Sequence, residues 1–191
     1  AWKRNYWRDL LEKLGFADLP EGARCLDAGS SLAGVFMVLQ RQKVVAIDPL
    51  MQAYKEQLAP FFPQQDYPQV EEFRQQEIEN MQEEAAYDYV FCLNVINHVA
   101  RLREAIAALW RSLRAGGCLV LTVDAHNYRA FKHIFRLIPA DVLHPQQNDL
   151  TEYIAMLRQL CPDSGEIRSQ LLKKEFFFSY YAIILQRNIA P

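Results

Sequence analysis

Cys25-Leu26-Asp27-Ala28-Gly29-Ser30-Ser31 is followed about twenty residues later by Val44-Val45-Ala46-Ile47-Asp48. An acid two residues before a glycine at the end of one apolar strand, with a second apolar strand ending in Asp, is how an α/β sheet holds an adenosine ligand. Gly29 lets backbone approach the ligand without a Cβ in the way, and Asp48 at the neighbouring strand tip accepts from both ribose hydroxyls. Taken singly, Asp27-Ala28-Gly29 reads equally as a strand-to-helix turn and Asp48-Pro49 as a helix start. The pair at this spacing points to a nucleoside-containing cofactor. For proton transfer, His98 follows a strand at the carboxyl edge of the sheet and carries an imidazole, the side chain most often used for that task; it is either a general base or a helix-start residue bonded to backbone. A second group lies in His126-Asn127-Tyr128-Arg129, Lys132-His133, Arg136 and His144. Arg129, Lys132 and Arg136 share one helix face, which either binds an anionic acceptor (a carboxylate or phosphate) or is solvated surface. His126, Tyr128 and His144 are further candidate bases there.

Alternating elements must position these groups. Apolar residues at helical spacing predict a helix over Trp2 to Leu14, stopped by Gly15. Strand Arg24–Asp27 is expected to lead into a helix from about Leu32 to Gln42, then strand Val44–Ile47 and a helix opened by Pro49. Val70–Gln76 is a weak strand and Tyr87–Leu93 a clear one. A helical stripe runs through Leu102, Ile106, Leu109, Trp110 and Leu113, closed by Gly116-Gly117, and Cys118–Val123 is a fifth apolar strand. Ile167–Lys173 and Phe176–Leu185 are strand-like with no helix between them, so they form an antiparallel hairpin. The expected fold is a doubly wound, Rossmann-like, mostly parallel seven-stranded α/β sheet with an antiparallel C-terminal hairpin. One domain accounts for 1–191: an N-terminal helix or lid (1–21), a cofactor core (22–123), a substrate-facing helical segment (124–165) and the hairpin (166–187).

A chain of 191 residues with 23% charged residues and a net charge of -2 demands neither nucleic acid nor an anionic membrane. No apolar run reaches the length of a membrane span, and Ala1-Trp2-Lys3-Arg4 does not begin a signal peptide, so a cytoplasmic address is the default expectation. Cys25, Cys92, Cys118 and Cys161 lack the paired spacing of a zinc site or a disulfide framework and read as buried thiols. No metal is expected.

Leu26-Asp27-Ala28-Gly29, Ala46-Ile47-Asp48, Glu77-Ile78-Glu79, Tyr87-Asp88-Tyr89-Val90, Asn94-Val95-Ile96-Asn97-His98-Val99 and Leu113-Arg114-Ala115-Gly116-Gly117-Cys118-Leu119 occur in that order. As an ordered set they resemble the class I S-adenosylmethionine-dependent methyltransferases, in particular the small-molecule group of ubiquinone-biosynthesis type. The resemblance implies S-adenosylmethionine as cofactor and S-adenosylhomocysteine as product. It further implies that Gly29 with the backbone of Ser30 and Ser31 lines the methionyl group, and that Asp27 holds its amino end directly or through water. Asp48 takes the ribose, Glu77 the adenine amino group, and Ile78 offers its N–H and packs on the ring. Asn94 meets the methionine moiety. Ser31 and Ala33 stand where further glycines are usual, which displaces the methionine end or lowers affinity. Methyl transfer from a sulfonium is an in-line displacement, for which alignment supplies most of the acceleration.

The expected activity is therefore methyl transfer to a small-molecule acceptor, oxygen ahead of nitrogen or carbon. A cofactor-binding protein without methyl transfer, serving regulation or assembly, is the alternative. A nicotinamide oxidoreductase is disfavoured by the missing Gly-x-Gly-x-x-Gly and by the terminal hairpin.

Overall fold

The computed structural model describes residues 2–59, 62, 66–127 and 148–189. Strands β1 (Arg24–Ala28), β2 (Lys43–Asp48), β3 (Val70–Gln75), β4 (Tyr87–Cys92), β5 (Leu113–His126), β6 (Ser164–Lys174) and β7 (Phe178–Arg187) form one sheet in the order β3-β2-β1-β4-β5-β7-β6. The first five pair in parallel; β7 runs against both β5 and β6. The chain order reverses between β1 and β4, the crevice where open α/β sheets bind ligands. The expected seven-stranded sheet and terminal hairpin are both present.

Continuous apolar runs mark strands buried on both faces. Leu26 and Ala28 enter one core with Val45, Ile47, Val90 and Leu119, whereas Cys25, Val44, Ala46, Phe91 and Val120 enter the other. Over the first face lie α3 (Leu102–Ser112) and α4 (Leu150–Leu160), the latter opened by an Asp149–Glu152 capping box. Leu102, Ala105, Ile106, Leu109 and Trp110 make the apolar stripe of α3. Its start is held by a carboxylate from elsewhere: Glu79 accepts from the N–H groups of Ala100 and Arg101 at 3.0 and 3.2 Å.

The opposite face is covered by α1 (Trp2–Leu14), through Trp7, Leu10, Leu11 and Leu14, and by Met51 of the short helix α2 (Met51–Gln57). Gly15, at φ 84, ends α1. The helix expected from Leu32 to Gln42 does not form: a single 3-10 turn, Val35–Met37, stands in its place. Asp27 lies beneath this segment and takes the Phe36 N–H at 2.9 Å, drawing the chain inward at Val35-Phe36. Val35, Phe36 and Leu39 are buried in the core without a helix to carry them.

Candidate active site

The carboxyl ends of β1 and β2 are joined by backbone bonds to side-chain and main-chain acceptors. Gly29 and Ser30 N–H both donate to the Ile47 carbonyl, at 2.8 and 3.0 Å. Asp48 accepts from Ser31 N–H through one oxygen (3.0 Å) and from Leu50 N–H through the other (2.8 Å). Ser31 sits at φ 51, in the left-handed region glycine normally occupies, and the Asp48 bond holds it there. Asp27 is 3% exposed, and burial pushes its carboxyl up to about 7 against the opposing N–H groups of Phe36 and Val35; the nearby Asp48 charge adds to the rise. Gly34 has ordinary φ but no room: a Cβ there would lie 2.3 Å from Asp27 Oδ2 and 2.7 Å from the Ser30 carbonyl. Trp7 donates its indole N–H to the Ala33 carbonyl at 2.7 Å, tying α1 to the same loop.

Against this turn opens a cleft of about 460 Å³, within the range of small-ligand sites. Gly29 and Pro49 form one wall, Glu77 to Asn80 another, and Val95 with His98 to Arg101 the third. Gly29, Glu77, Ile78 and His98, singled out in the sequence, thus line one cleft. Glu77 is exposed and accepts from the Asn80 amide at 2.7 Å; the Ile78 side chain is buried. His98 ends a 3-10 turn (Ile96–His98), and its side chain is exposed at the cleft. Asp27, Ser30, Ser31 and Asp48 stand behind the first wall, shaping it through the bonds just described. Gly29, at φ 76, is approached by Val95: an added Cβ would fall 2.3 Å from Val95 Cγ2.

Asn94 faces another way. At φ 61 beyond β4, it receives the Tyr180 hydroxyl on Oδ1, and its N–H donates to Thr122 Oγ1 at 2.7 Å. Its amide reaches Tyr6 of α1 at 3.5 Å. It therefore borders a smaller hollow of about 220 Å³ with Asp124, Lys173, Glu175, Phe178 and Tyr180. His126, at the end of β5, is 6% exposed with its ring 4.4 Å from that of Phe178. Tyr128, Arg129, Lys132, Arg136 and His144 lie outside the described residues.

Several residues that shape this region had no role assigned from the sequence. Gly34 and Val95 act through close approach, which only coordinates reveal. Asn97 is buried and clamps β5, donating to the Asp124 carbonyl (2.9 Å) and accepting from the Asp124 N–H (3.1 Å). Tyr180 was accessible to strand alternation, since it shares a face with Phe178 and Ala182.

The family described as a methyltransferase domain matches residues 1–159. No curated protein matches. Among solved structures, the Bacillus halodurans putative methyltransferase superposes with TM-score 0.72 at 17% identity, over 95% of this chain and 99% of its own. The YcgJ protein of Bacillus subtilis gives 0.71 at 14%, over 98% and 100%. The Burkholderia thailandensis 1,6-didemethyltoxoflavin-N1-methyltransferase, crystallised with its acceptor and S-adenosylhomocysteine, gives 0.67 at 17%, over 98% and 79%. These likenesses concern the fold, and the match over residues 1–159 settles the family: the chain belongs to the methyltransferase-domain family, with the class I, S-adenosylmethionine-dependent architecture.

Proposed function

We propose that the chain transfers a methyl group from S-adenosylmethionine to a small-molecule acceptor. The observation that carries this reading is the cleft at the carboxyl ends of β1 to β4, beside the reversal of strand order, in a member of this family. The residues present fit the cofactor. Glu77 offers an exposed carboxylate to an amino group, and Ile78 lines the wall beside it. Each Asp48 oxygen has a second lone pair beyond the one engaged by backbone, leaving acceptors for a hydroxyl pair. Gly29 keeps the wall thin. Asp27 and Ser31 act one step back, Asp27 by holding Val35-Phe36 and Ser31 by anchoring to Asp48.

When bound, S-adenosylmethionine supplies a methyl carbon activated by attachment to a cationic sulfur. The chain's own contribution is alignment and proton handling. An oxygen or nitrogen acceptor must shed a proton, and His98 is the exposed titratable imidazole on the cleft wall. His126, packed on Phe178, serves as a base only where the acceptor reaches the end of β5. The cationic residues Arg129, Lys132 and Arg136, with Tyr128 and His144, are proposed to select an acceptor bearing an anionic group.

Calorimetric titration with S-adenosylhomocysteine tests the reading. Binding is expected, and Asp48→Ala should weaken it about ten- to two-hundredfold, the loss of a charged acceptor worth roughly 1.5–3 kcal/mol. A folded wild-type protein that does not bind the product overturns the proposal. A second reading, binding without transfer, draws on the backbone bonds that already occupy Asp27 and Asp48. Product binding with no homocysteine release across a panel of hydroxyl and amine acceptors would select it.

A further inference from the structure

Another hollow, of about 710 Å³, lies on the α1 side of the sheet along the first halves of β4 and β5, away from the carboxyl ends that carry the cleft. Its floor is apolar. Cys118 of β5 and Ile184 of β7 are buried there, and Phe16, just past the end of α1, sets its ring edge-on to that of Tyr89 of β4 with centroids 6.3 Å apart. Tyr89 is only half-buried, so part of its ring is open to the hollow.

Charge reaches this hollow from three side chains. Arg187 is already engaged, donating to Asp163 and to the Leu113 carbonyl, each at 2.7 Å. Glu166 and Arg168 of β6 are exposed and make no hydrogen bond or ion pair among the described residues. They stand two positions apart on one strand and both line the hollow, so their Cα atoms are about 6–7 Å apart and their side chains rise from one face. Arg168 pairs in register with Ile184, which sets the guanidinium beside the apolar floor. One free carboxylate and one free guanidinium therefore flank a surface of carbon, sulfur and aromatic edges. An anion alone would meet Glu166 and a cation alone would meet Arg168; a ligand carrying both charges is matched at each.

We propose that this hollow binds a free α-amino acid with an aromatic side chain, its carboxylate on Arg168, its ammonium on Glu166 and its ring against Phe16 and Tyr89. The guanidinium fork matches a carboxylate through two parallel N–H groups, and an added ring gains from edge-on packing with the two already there. A free amino acid is distinguished from a peptide end, which carries only one of the two charges beside its α-carbon. The site lies apart from the cleft, and the binding it predicts does not depend on methyl transfer.

The test is a titration of the isotope-labelled protein, without cofactor, followed by backbone amide shifts. The probes are L-phenylalanine and three fragments of it: 3-phenylpropionate, which lacks the ammonium, phenethylamine, which lacks the carboxylate, and glycine, which lacks the ring. L-Phenylalanine should shift the amides of Cys118, Arg168 and Gln186 and bind at least tenfold more tightly than any fragment. Arg168→Met and Glu166→Gln, both at exposed positions, should each weaken it about tenfold, with thermal melting confirming that the variants are folded. Absence of binding, equal binding of a fragment, or unchanged affinity in the folded variants overturns the assignment. Shifts confined to Gly29, Ser30 and His98 would put the amino acid in the cleft and overturn it as well. Calorimetry with S-adenosylhomocysteine on the same samples keeps the two readings apart: product binding without phenylalanine binding defeats this inference alone.

Discussion

The two covers of the sheet are built on different principles. Over one face, α3 and α4 are full helices whose apolar stripes bury against the strands, and their ends are capped by Glu79, Asp149 and Glu152. Over the other, between β1 and β2, no helix spans the gap. Phe36, Val35 and Leu39 are lowered into the core by a loop that Asp27, Asp48 and the Ile47 carbonyl hold through backbone N–H groups. A helix satisfies its own backbone and tolerates substitution of single residues; this loop depends on a few acceptors and on two positions with no space for a Cβ. The region nearest the cleft is therefore the one in which single substitutions act most strongly.

Gly34→Ala should break that contrast most forcefully. At an unstrained position such a change commonly stabilises by a few tenths to 1 kcal/mol, but here the new methyl meets a buried carboxylate and backbone. A loss of roughly 3 kcal/mol in urea denaturation is expected, in line with overpacking costs. Stability equal to wild type would show that the loop yields easily. Gly29→Ala should cost less, about 1–3 kcal/mol, because its obstacle is the Val95 side chain. Gly29→Ala combined with Val95→Ala should recover much of the loss, leaving only the strain of φ 76. No recovery in the double variant would place the strain in the backbone alone.

Acidity sharpens the comparison further. A buried carboxyl whose folded value is raised contributes stability that is fully present below its unfolded value near 4 and is lost as pH rises through about 7. Asp27→Asn keeps an oxygen for the Phe36 N–H but cannot titrate. Denaturation at pH 5 and pH 8 should show wild type losing more stability on the rise than the variant. Parallel losses in the two proteins would remove Asp27 as the source. At the small end stands the ion pair between Arg41 of the same loop and Glu21, which precedes β1, exposed on both sides. Arg41→Ala should change stability by less than about 0.5 kcal/mol, since screened surface pairs contribute little.

The same contrast explains what could be read from the chain. Strands whose apolar runs are unbroken, such as Val44–Ile47 and Cys118–Val123, declared themselves because burial on both faces leaves no other pattern. The terminal hairpin was legible for the opposite reason, the absence of any helical spacing between its strands. The segment from Leu32 to Gln42 misled because Val35, Phe36, Val38 and Leu39 have helical spacing. What bends it away from a helix is a long-range acceptor, Asp27, and the tight fit of Gly34. In the candidate site, His98 could be placed from its position after the fourth strand, whereas Glu77 and Ile78, beyond a strand too polar to stand on its own, were legible only through the family resemblance. The orientation of Asn94 toward Tyr6 and Tyr180 could not be read at all, because it follows from a left-handed residue and from partners 88 and 86 positions distant.

The four cysteines offer a different use of the fold. Each is buried, and burial pushes Cys25 and Cys161 to about 12, Cys118 to about 11 and Cys92 in the same direction. Thiolate is the species that alkylating and oxidising reagents attack, so these side chains are silent in the native protein at neutral pH. Cys25 and Cys92 sit fully buried on the middle strands β1 and β4, so reagent reaches them only when the sheet itself parts, whereas Cys118 of β5 borders a surface hollow. Labelling kinetics at Cys25 and Cys92 are consequently a stopwatch for whole-domain opening, readable without any introduced probe.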